Sequence, residues 1–184
     1  MEVGQEDLEV EAAAGSDGGK ALALAYRFLN RRERTVAEVW ARLEKAEIPQ
    51  AAIEAVVAEL VEFGYLDDAR YARVFTQDKR TLEGWGSERI SRALRERGVD
   101  RELIESVLGK GLEAAEAGAY GAEAAGDEFA RAVTLLRQRF STGPADRRER
   151  ERAFGFLARK GYDSEIAADA VRSWARGSTG DTAD

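Results

Sequence analysis

The chain has 184 residues, 44% hydrophobic and 34% charged, with a formal net charge of −7 and neither cysteine nor histidine. That composition fits a packed soluble protein and excludes disulfide frames, thiolate catalysis, cysteine-ligated metal centres, serine-histidine triads and histidine-based zinc sites. With no uncharged apolar run of about 18 residues and an acidic start, MEVGQEDLEVEAAAG, neither a membrane span nor an export signal is expected, and the expected compartment is the cytoplasm.

In chain order, residues 1–19 read as an acidic, disordered tail. From Ala21 to Trp174 apolar residues recur every three or four positions, only Pro49 and Pro144 interrupt, and no alternating segment suggests a strand, so the body is predicted to be all-α. The spacing predicts helices over Lys20 to Arg32, Val36 to Ala46, Gln50 to Phe63, Asp68 to about Leu82, Ser87 to Arg97, Arg101 to about Ala115, Asp127 to Phe140, Arg147 to Lys160 and Ser164 to Ala175. Thr35 and Glu38 in TVAE form a capping box ahead of the second helix.

Three stretches repeat one pattern. In VWARLEKAEIPQAAIEAVV, RISRALRERGVDRELIESVL and RAFGFLARKGYDSEIAADAV a leucine (Leu43, Leu94, Leu157) is followed five residues later by an apolar turn residue (Ile48, Val99, Tyr162), then by Ile53, by Leu103 or Ile104, and by Ile166 or Ala167, and by Val57, Leu108 and Val171. Gly98 and Gly161, with Glu47 in the first copy, stand where the second helix of each unit needs a left-handed cap, and Pro49, Asp100 and Asp163 stand where the third helix begins. The expected architecture is therefore an elongated tandem array of three three-helix modules, at 20–67, 68–113 and 127–176. An Ala/Gly-rich linker is expected at 114–126 and a disordered tail at 177–184.

Charge is unevenly distributed. Eight of the 35 acids lie in the two ends, which leaves 27 against 28 Lys and Arg between Lys20 and Arg176, a net +1 for the body. Basic stretches remain at RISRALRERG, with Arg89, Arg92 and Arg97, and at ADRRERER, with Arg147, Arg148, Arg150 and Arg152. These are either a solvated face interlaced with Glu or a strip that meets phosphates or an acidic protein groove. GSDGGKA and GWGSER lack the spacing, the hydroxyl or third glycine, and the preceding strand of nucleotide-binding loops.

The stretch FGYLDDARYARVF holds an Asp-Asp pair. Gly64 is expected to cap the preceding helix, Tyr65 and Leu66 to dock apolar surface, and one of Asp67 and Asp68 to cap the next helix while the other favours its positive end. Adjacent carboxylates at a helix start do not converge on one reacting atom, and two Asp without further oxygen ligands do not make a magnesium or calcium site. No metal, cofactor or catalytic group is expected.

GYLDDARYARVF, followed by Gly86, Arg89, Ile90, Leu94, Gly98 and Val99 in G-x-x-R-I-x-x-x-L-x-x-x-G-V, resembles the RecX regulators of bacterial RecA recombinase. The hallmark corner of that family falls here on Tyr65, Leu66, Asp67, Asp68, Tyr71 and Ala72, and the third module lacks the Asp-Asp pair before Phe129 and Ala130. The resemblance implies a non-enzymatic modulator on the RecA–single-stranded DNA filament that dampens ATP hydrolysis, strand exchange and repressor cleavage. It implies weak binding to single-stranded DNA at most, no membrane partner and a monomer. On exposure and charge, the contact surface is expected at Arg70, Arg73, Arg89, Arg92, Arg97, Arg147, Arg148 and Arg152. The alternative is a helix-turn-helix-like protein that binds nucleic acid without RecA, disfavoured because the third helix of each module is acidic or neutral.

Overall fold

A computed structural model describes residues 5–109, 120–140 and 142–178. Among the described residues there are nine helices and no strand: α1 (Gln5–Leu29), α2 (Val36–Glu44), α3 (Gln50–Glu62), α4 (Asp68–Thr81), α5 (Ser87–Arg95), α6 (Arg101–Leu108), α7 (Tyr120–Arg139), α8 (Arg147–Lys160) and α9 (Ser164–Ser178). Seven start at the residue the sequence predicts, because caps or turn residues mark them. Thr35 accepts from Glu38 N while Glu38 accepts from Thr35 N, at 3.1 and 3.2 Å. The carboxylates of Asp100, Asp146 and Asp163 likewise take first-turn amides of α6, α8 and α9.

The differences are at Ala/Glu/Gly-rich segments. Helix α1 begins at Gln5, so the stretch expected as tail is helical from that residue. Its first part, QEDLEVEAAA, is rich in Glu and Ala, residues of high helix propensity, and lacks the sustained apolar stripe of the body. Helix α6 stops at Leu108 instead of running to Ala115, since Gly109 turns left-handed (φ 74) and returns its N–H to Glu105 O and Ser106 O. Helix α7 starts at Tyr120, seven residues before Asp127, and takes in the end of the expected linker. Positions 114–119 of that linker and 179–184 of the C-terminal tail lie outside the described residues.

The repeat positions form the core. Leu43, Leu94 and Leu157 are fully buried, and Ile53, Ile104, Ala167, Val57, Leu108, Val171, Val99 and Tyr162 are all buried. Burying one such aliphatic side chain stabilises by about 1.5–3 kcal/mol, which is why the spacing is readable at all. The chain divides into two compact units, Met1–Tyr71 with Arg97–Val99, and Ala72–Glu96 with Asp100–Asp184. The first packs Ala21 and Ala25 of α1, Val39 and Leu43 of α2, and Ile53, Val56, Val57 and Leu60 of α3 around Leu66. In the second, Ala132, Val133 and Leu136 of α7 meet Ala153 and Leu157 of α8 and Ala167, Ala170, Val171 and Trp174 of α9.

Candidate interaction surface

The Asp-Asp corner is built from backbone demands. Gly64 (φ 72) ends α3, with its N–H on Val61 O, and Leu66 N reaches back to Leu60 O, which turns the buried Leu66 side chain into the core. Asp67 accepts from Arg70 N at 2.8 Å and so caps α4. Asp68 does something else: its Oδ1 accepts from Val36 N at 2.9 Å, the first amide of α2, 32 residues earlier. Burial raises the Asp68 pKa, the Val36 amide opposes that rise, and the charges of Asp67 and Glu38 add to it. Both carboxylates are thus engaged by main-chain amides. Among the described residues no group of three or more His, Cys, Asp or Glu could hold a metal ion.

Tyr71 and Ala72 of the same corner are buried, but Tyr65 is 54% exposed and meets Tyr26 edge-on at a centroid distance of 5.3 Å. Tyr65 therefore meets apolar surface at the Tyr26 ring and stays outside the core. Its ring lies outside, in the exposed sequence Phe63, Gly64, Tyr65, because the left-handed turn at Gly64 directs only Leu66 inward.

The expected arginines have different surroundings. Arg70 donates to Gly64 O from both terminal nitrogens at 3.3 Å and pairs with Glu33, so it braces the corner. Arg97 is half-buried, and its carbonyl accepts the Thr35 hydroxyl at 2.6 Å. Arg73, Arg89 and Arg92 are exposed; the Arg89 guanidinium lies 4.0 Å from the Trp85 ring centroid and donates to Arg159 O at 3.3 Å. Arg147, Arg148 and Arg152 are exposed on the first turns of α8, where Arg147 pairs with Glu151 and Arg152 with Glu149. Exposed pairs of this kind add little stability and leave the cations available. Arg89 meets the far end of α8, about 20 Å along a 14-residue helix from Arg147, so α8 does not bring these arginines into one cluster.

Sequence reasoning missed a second basic site. Arg80 in the last turn of α4, Arg131 on α7 and Lys160 at the end of α8 line one cleft of about 580 Å3. Their separations of 51 and 29 residues carry no local period, so only the folded chain shows them together.

Three consecutive stretches match the family patterns described as the first, second and third three-helix domains of RecX, at residues 21–60, 67–108 and 126–171. The chain belongs to the RecX family. It is 35% identical over 162 residues to the regulatory protein RecX of Mycolicibacterium vanbaalenii, covering 84% of this chain and 82% of that protein. It is 37% identical to the RecX of Halorhodospira halophila, covering 89% of each. The crystal structure of RecX from Lactobacillus salivarius shares the fold, with a TM-score of 0.70 at 21% identity over 87% of this chain and 97% of that one. The family is one of regulatory proteins, built here as three tandem all-α modules. Among the described residues no helix is long and apolar enough to cross a membrane.

Proposed function

We propose that the chain is a cytoplasmic, non-enzymatic regulator that binds the RecA–single-stranded DNA filament as a monomer. There it lowers ATP hydrolysis, strand exchange and the filament's stimulation of repressor cleavage. The observation that carries this reading is the unbroken series of three RecX domains, in order, over most of the chain. Its chemistry is occupancy. With no cysteine or histidine and with the corner carboxylates taken by amides, the chain offers contact surfaces and no reaction centre. Exposed cations at Arg73, Arg89, Arg92, Arg147, Arg148 and Arg152 suit an acidic protein groove or phosphates. Arg70 and Arg97 contribute by holding the corner and the turn beside it. Single-stranded DNA is at most a weak partner without RecA.

The test is the rate of single-strand-dependent ATP hydrolysis by RecA with this protein at substoichiometric ratio. A clear slowing is expected, weakened by Arg92→Glu with Arg148→Glu. An unchanged rate, together with tight, salt-sensitive binding to naked duplex, would replace this reading with a free-standing nucleic-acid-binding protein.

A further inference from the structure

The cleft that contains Arg80 lies wholly within the second unit, between the end of α4 and its following loop, one face of α7, and the end of α8. Glu83 and Asp127 share its wall and the charges of Glu128 and Asp127 reach Arg80, but the guanidinium donors are short of direct acceptors. Among the described residues Arg80 makes no hydrogen bond or ion pair, and its Nε is buried without a partner. Among the described residues Arg131 pairs with the 81% exposed Asp127 at 4.0 Å, and its Nε is also buried and unpaired. The buried acid beside them, Glu128, is already taken by the Ser87 N–H and hydroxyl, each at 2.7 Å. Lys160 donates to Glu83 O at 2.6 Å, and the Glu83 carboxylate in the same wall, paired with Lys79, lies within reach of its charge. Burial, and after it the positive charge of Arg131, hold the Arg80 pKa below the usual guanidinium range. Burial pushes the Tyr162 hydroxyl in the same wall up to about 12, so it stays a neutral O–H group at physiological pH.

Two guanidinium groups held together with buried Nε donors that lack acceptors fit an incoming carboxylate. The surroundings favour it over a phosphate. Leu82 stands on the rim at 80% exposure, with Leu135 half-buried beside it. No aromatic face is open for a base to stack on: Tyr162 is buried, and the Trp85 ring nearby carries Arg89 at 4.0 Å and Lys79 at 4.8 Å. A single-stranded nucleic acid site relies on such faces, whereas a protein segment pairs a carboxylate with an apolar neighbour.

We propose that this cleft receives a carboxylate side chain from an acidic protein segment, at Arg80 and Arg131, while an adjacent apolar side chain of that segment packs on Leu82. That the segment belongs to RecA rests on the function proposed above; that the cleft takes an acidic segment does not.

The probe is a fluorescein-labelled peptide, Gly-Ser-Asp-Leu-Glu-Ser-Gly, titrated with the full chain and followed by fluorescence anisotropy. Binding is expected to fall by roughly tenfold or more with Arg80→Gln and with Leu82→Asp, and with the Asn/Gln version of the peptide. Leu82→Asp changes an exposed side chain and keeps the melting temperature, so it decides the matter even if Arg80→Gln unfolds the protein. Absence of peptide binding, equal binding of the amide peptide, unchanged binding by Leu82→Asp, or displacement of the peptide by an equal concentration of oligo(dT) would overturn the proposal. RecA ATP hydrolysis runs in parallel. If the wild-type chain and Leu82→Asp slow it equally, the cleft has no part in RecA contact though the RecA reading stands. If the wild-type chain has no effect, that reading fails while the peptide titration still judges the cleft.

Discussion

The start of α2 and the start of α5 solve one problem in two ways. Each must meet the turn that ends the second helix of the following module. At α2 the acceptor is Arg97 O, just before the left-handed Gly98, and the donor is the buried Thr35 hydroxyl at 2.6 Å. At α5 the acceptor is Lys160 O, just before the left-handed Gly161, and the donor is the Gly86 backbone N–H at 2.9 Å, with Glu88 N on Gly161 O at 3.0 Å. Thr35 and Gly86 are both N-caps. A hydroxyl spaces the first joint; in the second the main chains touch directly, and a Cβ on Gly86 would fall 2.3 Å from Gly161 O. A threonine cap therefore fits only the wider joint.

A carboxylate completes each joint from the first helix of the following module. Asp68 takes Val36 N, the first amide of α2, and Glu128 takes Ser87 N, the first amide of α5. The third module lacks an Asp-Asp corner in sequence, yet Glu128 does the work that Asp68 does in the second. What differs is burial: Asp68 is half-exposed, whereas Glu128 is 4% exposed and also accepts the Ser87 hydroxyl.

The tighter joint should be the more fragile, and the largest effect is expected at Gly161→Ala. Its Cβ would sit 2.3 Å from Arg89 Cβ and, unlike one at Gly98, 2.7 Å from the main-chain nitrogen of its neighbour Arg89, so overpacking and a left-handed non-glycine (φ 85) combine to cost about 3 kcal/mol or more in denaturant unfolding. Glu128→Ala strands two buried Ser87 donors and should cost about 2–4 kcal/mol. Asp68→Ala, at the looser joint, frees an amide that water can reach, and about 1 kcal/mol is expected. Asp68→Asn keeps an acceptor oxygen and should recover most of that loss. If Asp68→Ala proved as damaging as Glu128→Ala, the burial contrast would not be the deciding variable. Glu47→Gly is the smallest change and of opposite sign: Glu47 is exposed at a φ of 58, so relief of left-handed strain should raise stability by about 0.5 kcal/mol.

Helix starts and core positions were legible because they are written locally. Thr35, Asp100 and Asp163 announce helices by capping, and Leu43, Leu94 and Leu157 fall on one period that all three modules bury. The joints were not, since Ser87 and Glu128 are 41 residues apart and neither differs in type from a solvated neighbour. The second role of Asp68 was hidden for the same reason. At the candidate surface, exposure was read correctly for Arg73, Arg92 and Arg148 but not for Arg97, whose turn is half-buried against α2. The segment before Lys20 is helical from Gln5, and its alanines and glutamates favour a helix without the apolar period that marks the body.

Glu47 has one more implication. Gly98 and Gly161 hold the corresponding turn where a neighbour's helix start presses on it, at 2.3 Å from Ala37 Cβ and from Arg89 Cβ. A side chain at that turn is compatible only with open space, so any fourth module grafted ahead of α1 with the same docking geometry would collide with the glutamate. The repeat thus has a direction written into a single residue: it can be lengthened on one side only after that glutamate is removed.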